Sequence, residues 1–210
     1  MNKFVLLIAS LILFFLLAVP RTFAVERIGS VTKLIDGWNL FSLPGTPLSE
    51  KKDSTAINLI AEINRQGGRV TTVARFVDGK WEEVVKRETG ETYGNDFQIE
   101  SGKSYFIRNY KPVDFKLAVA TPVTTTTLKL APGYNFVGFP GFNREKFKLS
   151  NLATEINNSV VQKETLLASF DSGLFRSFLR IGAKNYGEDQ TINKFSGYVI
   201  MIDQPVDFAY

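Results

Sequence analysis

The sequence contains no cysteine and no histidine, and each absence excludes a class of chemistry. Without cysteine there is no disulfide framework, no thiolate nucleophile and no Cys-ligated metal site. Without histidine the chain lacks the commonest general base and the commonest zinc ligand. Any catalysis would have to depend on carboxylates, lysine, tyrosine, serine or threonine. We predict no cofactor and no metal-binding residue.

The chain also has no long run of basic residues. Its 25 Lys and Arg against 21 Asp and Glu give a formal net charge of +4. Such a balance gives little support for binding nucleic acid, and we predict no nucleic-acid partner. A length of 210 residues with 44% hydrophobic content suits one large domain or two small ones.

Residues 1–24 have the pattern of a signal peptide. Lys3 supplies a positive charge, the stretch FVLLIASLILFFLLAV at residues 4–19 is almost wholly apolar, and small residues suit cleavage after Ala24. The alternative is a retained anchor, although the apolar run is shorter than the roughly 20 residues that span a bilayer. We predict a secreted or cell-surface protein that contacts a membrane only through residues 4–19, if they are not removed.

A repeat follows this segment. The string DGWNLFSLPG at residues 36–45 is echoed 96 positions later by PGYNFVGFPG at residues 132–141. Both strings place an aromatic residue and an asparagine directly after a glycine, and both end in Pro-Gly. The residues that define the repeat are Gly37, Trp38, Asn39, Pro44, Tyr105 and Phe115 in the first copy and Gly133, Tyr134, Asn135, Pro140, Tyr198 and Phe208 in the second.

The repeat is strongest near the end of each copy. Residues 93–115 and 186–208 are identical at ten of 23 aligned positions, including a final Pro-Val-Asp-Phe. Random pairing at about 6% identity would give one or two. We infer a tandem duplication, with repeat modules at residues 26–118 and 124–210 that are expected to touch because the linker is short.

Each module is predicted to be a β-rich α+β unit, a small β-sandwich or barrel-like fold with one helix. The expected order is β-β-α-β-β-β-β-β. It includes a hairpin about Asp36-Gly37, a helix from about residue 56, a hairpin about Asp78-Gly79 and a strand at the DFQI segment, residues 96–99. The fold class is thus two tandem homologous modules of this kind.

Residues shared by the two copies are predicted to have structural roles. Tyr105, Ile107 and Phe115, with their counterparts in the second copy, are expected in the core. Asn39 and Asn135 are expected to bond nearby backbone at the entrance of each module. After its Pro-Val-Asp-Phe, the last strand of the second module is expected to be shorter than that of the first.

The string GWNLFSLP near the start of a module and SGKSYFI near its end resemble a family of extracellular tandem repeat modules with a GWNLxSLP … GxGYWI pattern. These modules occur in bacterial and archaeal secreted and cell-surface proteins. The second copy departs from the pattern, because Tyr134 replaces the tryptophan. The resemblance implies a structural or binding part of the cell surface and supplies no catalytic residues.

Two chemical alternatives remain open. A hydrolase needs a pair of carboxylates about its site, but the adjacent Glu82 and Glu83 would point to opposite faces of a strand. Asp96 and Asp189 in the shared YGND and YGED strings would suit calcium, but too few oxygen ligands accompany them. We favour a turn in which each aspartate bonds to backbone.

Aromatic residues supply the third alternative, stacking on sugars. Trp81 and Tyr110 are the candidate ligand-contact aromatics, and Trp81 is the better because charged residues surround it in the sequence. Our prediction is a non-catalytic structural or adhesive protein that binds other surface proteins or a cell-surface polymer. A carbohydrate-binding protein is the alternative, and a divergent hydrolase a more remote one.

Overall fold

The computed structural model describes residues 27–47, 54–120, 127–142, 144 and 146–210. The predicted signal segment lies outside the described residues. In the described part of the chain, no helix is both long enough and apolar enough to cross a membrane. The described residues form two similar β-rich modules with one helix each, which confirms the predicted fold class.

The first module contains eight strands and helix α1. Its elements are β1 Arg27–Leu34, β2 Gly37–Ser42, β3 Thr46–Pro47, α1 Ala56–Arg65, β4 Val70–Val77, β5 Lys80–Lys86, β6 Thr92–Tyr93, β7 Ser104–Asn109 and β8 Val113–Ala120. One antiparallel sheet has the order β2-β7-β4-β5-β6, and a smaller one has the order β1-β8-β3.

The second module repeats this plan with seven strands and helix α2. Its elements are β9 Thr127–Leu130, β10 Gly133–Val137, α2 Leu149–Ser159, β11 Glu164–Asp171, β12 Leu174–Ile181, β13 Lys184–Gly187, β14 Tyr198–Ile202 and β15 Val206–Ala209. The sheets have the orders β10-β14-β11-β12-β13 and β15-β9. Strand β15 is half the length of β8, as predicted. No barrel closes within the described residues.

In each module the helix and both sheets enclose one core. Helix α1 contributes buried apolar residues at helical spacing, including Ala56, Ile60 and Ile63. The predicted core residues are at most 3% exposed, which confirms that prediction; they are Tyr105, Ile107, Phe115, Tyr198, Ile200 and Phe208.

The two shared tyrosines are buried, and the hydroxyl of each accepts a hydrogen bond from a backbone N–H. The hydroxyl of Tyr105 accepts a hydrogen bond from the Glu100 N–H at 2.7 Å, and that of Tyr198 accepts one from the Asn193 N–H at 2.7 Å. Burial raises the pKa of each phenol to about 12 because the ionised form would lose its hydration.

The predicted hairpin between the first two strands is wrong. Strand β1 pairs with β8, and β2 pairs with β7, so the chain crosses from one sheet to the other at Asp36. The Asn39 side chain holds this crossing: its oxygen accepts from the Ile35 N–H at 2.8 Å, and its amide donates to the carbonyls of Ile35 and Gly37. The Asn39 side chain thereby bonds backbone N–H and C=O groups of the crossing that hairpin pairing would have bonded.

Asn135 repeats this arrangement in the second module. It accepts from the Ala131 N–H at 2.9 Å and donates to the carbonyls of Ala131 and Gly133. Gly37 and Gly133 have φ values of 113° and 92°, which residues with a side chain rarely adopt. The predicted role of the two asparagines is confirmed.

We expect Asn39→Ala to lower the free energy of unfolding by about 2 kcal/mol, because it leaves backbone groups of the crossing without partners. Urea denaturation followed by circular dichroism measures this. The matched control is Asn151→Ala, which removes one hydrogen bond at the exposed start of α2 and should have a smaller effect. Equal losses in the two variants would contradict the proposed role of Asn39.

Of two further predictions, a hairpin is confirmed and a strand is wrong. The hairpin at Asp78-Gly79 is confirmed between β4 and β5, with φ values of 50° and 77° that fit a tight two-residue turn. The predicted DFQI strand is wrong. Its backbone crosses the start of α1 instead, where the Ile99 N–H donates to the Ser54 carbonyl and the Ala56 N–H to the Phe97 carbonyl.

Asp96 and Asp189 bind helix N-termini. The Asp96 carboxylate accepts from the Ile57 N–H at 3.1 Å, and that of Asp189 accepts from the Ser150 N–H at 2.9 Å. Free N–H groups at a helix start favour an anionic acceptor. Each shared aspartate therefore bonds to backbone, as favoured above. In the described residues, no group of three or more metal-ligating side chains comes together.

Candidate functional site: an aromatic groove between the modules

The two modules contact each other through the edge strands β2 and β10. The Ser42 N–H donates to the Phe195 carbonyl at 3.2 Å, and the Gly138 N–H donates to the Gly102 carbonyl at 3.1 Å. Ser42 and Gly138 occupy corresponding positions of the repeat, as do Gly102 and Phe195. The contacts are therefore related by an approximate two-fold axis, and the expectation that the modules touch is confirmed.

Close packing near this axis pairs a serine of the first module with a glycine of the second. A side chain on Gly138 would collide with the Ser42 hydroxyl, and a Cβ on Gly197 would lie 2.5 Å from the Ser104 Oγ. The Ser104 hydroxyl donates to the Val137 carbonyl and accepts from the Tyr198 N–H. The modules thus approach backbone to backbone.

Beside the axis, the sheet faces that point away from the helices pack on each other. Tyr105 and Ile107 of β7 enter the first core, so the intervening Phe106 points to the opposite face. Phe106 joins a small shared cluster with Leu40 of its own module and Val199 of the other. Each five-stranded sheet is therefore apolar on both faces near the interface.

This shared cluster opens into a groove of about 460 Å³ that is lined by both modules. Trp81 and Phe175, which occupy corresponding strands, are 55% and 56% exposed along it. The lining residues, which we call the aromatic groove, are Trp38, Ala74, Trp81, Glu83, Phe106, Phe136, Phe170 and Phe175. The volume lies in the range of ligand sites, roughly 300 to 1,000 Å³.

Four rings of the aromatic groove pack edge-to-face against the ring of Phe106. Trp38 and Trp81 lie at 84° and 61° to its plane, with centroids at 6.3 and 5.6 Å. Phe170 and Phe175 lie at 78° and 70°, with centroids at 5.8 and 6.3 Å. Edge-to-face contacts are a favourable arrangement for aromatic pairs, so the rings fix one another.

Glu83 is the one ionisable side chain among the described residues that line the aromatic groove. It forms no ion pair with any residue that the structure describes. Its neighbour Glu82 points to the other face of β5, where it pairs with Arg75 at 2.7 Å. The expected divergence of these two carboxylates is confirmed, and they form no catalytic pair.

The two candidate ligand-contact aromatics lie at different places in the structure. Trp81 lines the aromatic groove, whereas Tyr110 lies beyond the end of β7, 47% exposed, beside a separate hollow that includes Arg69 and Arg87. The Arg108 guanidinium lies 4.6 Å from the Tyr110 ring centroid and 5.9 Å from that of Trp38. Tyr110 is thus linked to the groove through Arg108 but does not line it.

Polar clefts lie on either side of the interface, at corresponding positions. The larger, about 720 Å³, includes Arg75, Lys103 and Lys129, and the smaller, about 110 Å³, includes Lys33 and Asp171. The Arg75 guanidinium forms an ion pair with Glu82, and its Nη1 lies 3.9 Å from Oε1 of Glu100. The described lining of these clefts is more polar than that of the aromatic groove.

Sequence reasoning did not select Phe106, Phe136, Phe170 or Glu83 as site residues. One signal was available, because the run SYFI in β7 lacks the alternation of a half-exposed strand and indicates apolar residues on both faces. The sequence could not show that residues from the two modules converge on one groove, because this depends on how the sheets of the two modules pack together.

Comparisons with protein-family models, with curated proteins and with solved structures find no match to this chain.

Proposed function

We propose that this chain is a non-catalytic, secreted or cell-surface binding protein with a structural or adhesive role, whose ligand occupies the aromatic groove. The observation that carries the proposal is the exposure of Trp81 and Phe175 in a groove that both modules build. Large exposed apolar patches on soluble proteins commonly mark interaction sites. Partners are other surface proteins or a cell-surface polymer.

Three further points support this proposal. Among the described residues that line it, the groove has the single carboxylate of Glu83, whereas acid-base hydrolysis of a glycoside uses two. The apolar segment at residues 4–19 favours export. The likeness of GWNLFSLP to extracellular repeat modules favours a surface location.

Carbohydrate binding is the second candidate, favoured by the exposed Trp81 ring beside the Glu83 carboxylate. Sugar rings stack on aromatic faces, and a carboxylate accepts hydrogen bonds from hydroxyl groups. The two candidates share one groove and differ in ligand chemistry.

We expect the double substitution Trp81→Ala with Phe175→Ala to reduce binding to isolated cell envelopes of the source organism about tenfold, because it removes the two most exposed rings of the groove. Co-sedimentation of residues 25–210 with the envelopes measures the bound fraction. Circular dichroism confirms that the variant remains folded.

Tyr186→Ala is the matched control, because Tyr186 is 51% exposed on β13 and does not line the groove. Its binding should equal that of the unmodified protein. If the double variant binds as well as this control, the aromatic groove is not the binding site.

A further inference from the structure

We propose that the aromatic groove binds a quaternary ammonium group, such as the trimethylammonium of a choline substituent on a cell-surface polymer. This inference rests on the proposed function, because it names the chemistry of the ligand for the same groove. It is carried by ring arrangement, charge and hydrogen-bonding capacity.

Ring arrangement is the first argument. Trp38, Trp81 and Phe175 stand at 61° to 84° to Phe106, so the open groove presents both faces and edges of rings and is not one flat platform. A cation near an aromatic face is attracted by the negative potential of that face, most strongly for tryptophan. Because several rings line one groove, a compact cation can contact more than one of them.

Charge is the second argument. Glu83 gives the groove its one formal charge among the described lining residues, and no described cation pairs with it. The Arg108 guanidinium lies over the rings of Trp38 and Tyr110, but Arg108 does not line the groove. An unpaired carboxylate amid aromatic rings is complementary to a positive ligand.

Hydrogen-bonding capacity is the third argument and separates this cation from others. The lining side chains offer three polar groups, the Glu83 carboxylate and the indole N–H groups of Trp38 and Trp81. A guanidinium carries five N–H donors, and a saccharide carries many hydroxyls, all of which need partners. A quaternary ammonium carries no donor, so its methyl groups can be buried without an unmet hydrogen bond.

The test uses the only two tryptophans of the chain, because both line the groove. Intrinsic fluorescence of residues 25–210 is titrated with choline and, separately, with its neutral carbon isostere 3,3-dimethyl-1-butanol. We expect saturable binding of choline at least tenfold tighter than that of the isostere. Glu83→Gln should weaken choline binding about fivefold and leave the isostere unchanged.

Glu82→Gln is the matched control, since it removes an adjacent carboxylate on the opposite face and should leave choline binding unchanged. Equal affinity for choline and its isostere would overturn the proposal, as would tighter binding of N-acetylarginine methylamide or of a chitin oligosaccharide. If choline does not bind but the Trp81 and Phe175 double variant still loses envelope binding, this inference fails and the proposed function stands.

Discussion

Between about pH 10 and pH 12, the free energy of unfolding is expected to fall by about 5 kcal/mol through the two buried tyrosines alone. Burial raises the pKa of Tyr105 and of Tyr198 from 10.0 to about 12. Below pH 10 both phenols are neutral in the folded and the unfolded chain, so the stabilisation is fully present. Above pH 10 the unfolded chain loses these protons and the folded chain does not. At about 1.4 kcal/mol for each pKa unit, two units at each tyrosine give this total.

Guanidinium denaturation at a series of pH values measures this loss. Tyr105→Phe and Tyr198→Phe should each remove about half of the alkaline dependence, because phenylalanine has no proton to release. A pH profile of the two core variants that parallels that of the unmodified protein would show that other groups cause the alkaline loss.

Replacing Gly138 by serine is expected to lower the free energy of unfolding by about 3 kcal/mol. The new side chain would collide with the Ser42 hydroxyl, across an interface where the backbones are already in hydrogen-bonding contact. The modules would have to separate locally, which would expose Leu40 and Val199. Urea denaturation measures the loss, and greater quenching of tryptophan by acrylamide would report an opened interface.

The repeat supplies a matched rescue for this substitution. Ser42 and Gly138 are corresponding residues that face each other near the approximate two-fold axis. The exchange Ser42→Gly with Gly138→Ser keeps one serine and one glycine at the contact and should recover most of the lost stability. If the exchanged variant is as unstable as Gly138→Ser alone, the loss comes from within the second module and not from the contact.

The plan of each module was predictable because its signals are local. Helical spacing of Ala56, Ile60 and Ile63 identifies α1, and Asp78-Gly79 identifies a hairpin from turn chemistry alone. Asp36-Gly37 carries the same dipeptide but lies at a crossing between sheets. There β1 pairs with β8 and β2 pairs with β7, so contacts distant in the sequence decided the strand pairing, and the Asn39 side chain bonds the backbone of the crossing.

The candidate site was predictable only in part. Trp81 could be selected because charged residues flank it on an exposed strand. Phe136 and Phe170 reach the groove from the second module, whose orientation depends on the Ser42 and Ser104 contacts with glycine. Residues that are separated along the chain and joined by docking of two modules leave no local pattern in a single sequence.

The serine and glycine pairs at the interface also determine which modules can recognise one another. Two copies of the first module, docked in the same way, would oppose Ser42 to Ser42 and Ser104 to Ser104, where the observed spacing accommodates a serine only against a glycine. Two copies of the second would oppose glycine to glycine and leave gaps. Each module is therefore a better partner for the other than for itself. This asymmetry favours a closed one-to-one pairing within the chain over strings of identical units joined between chains.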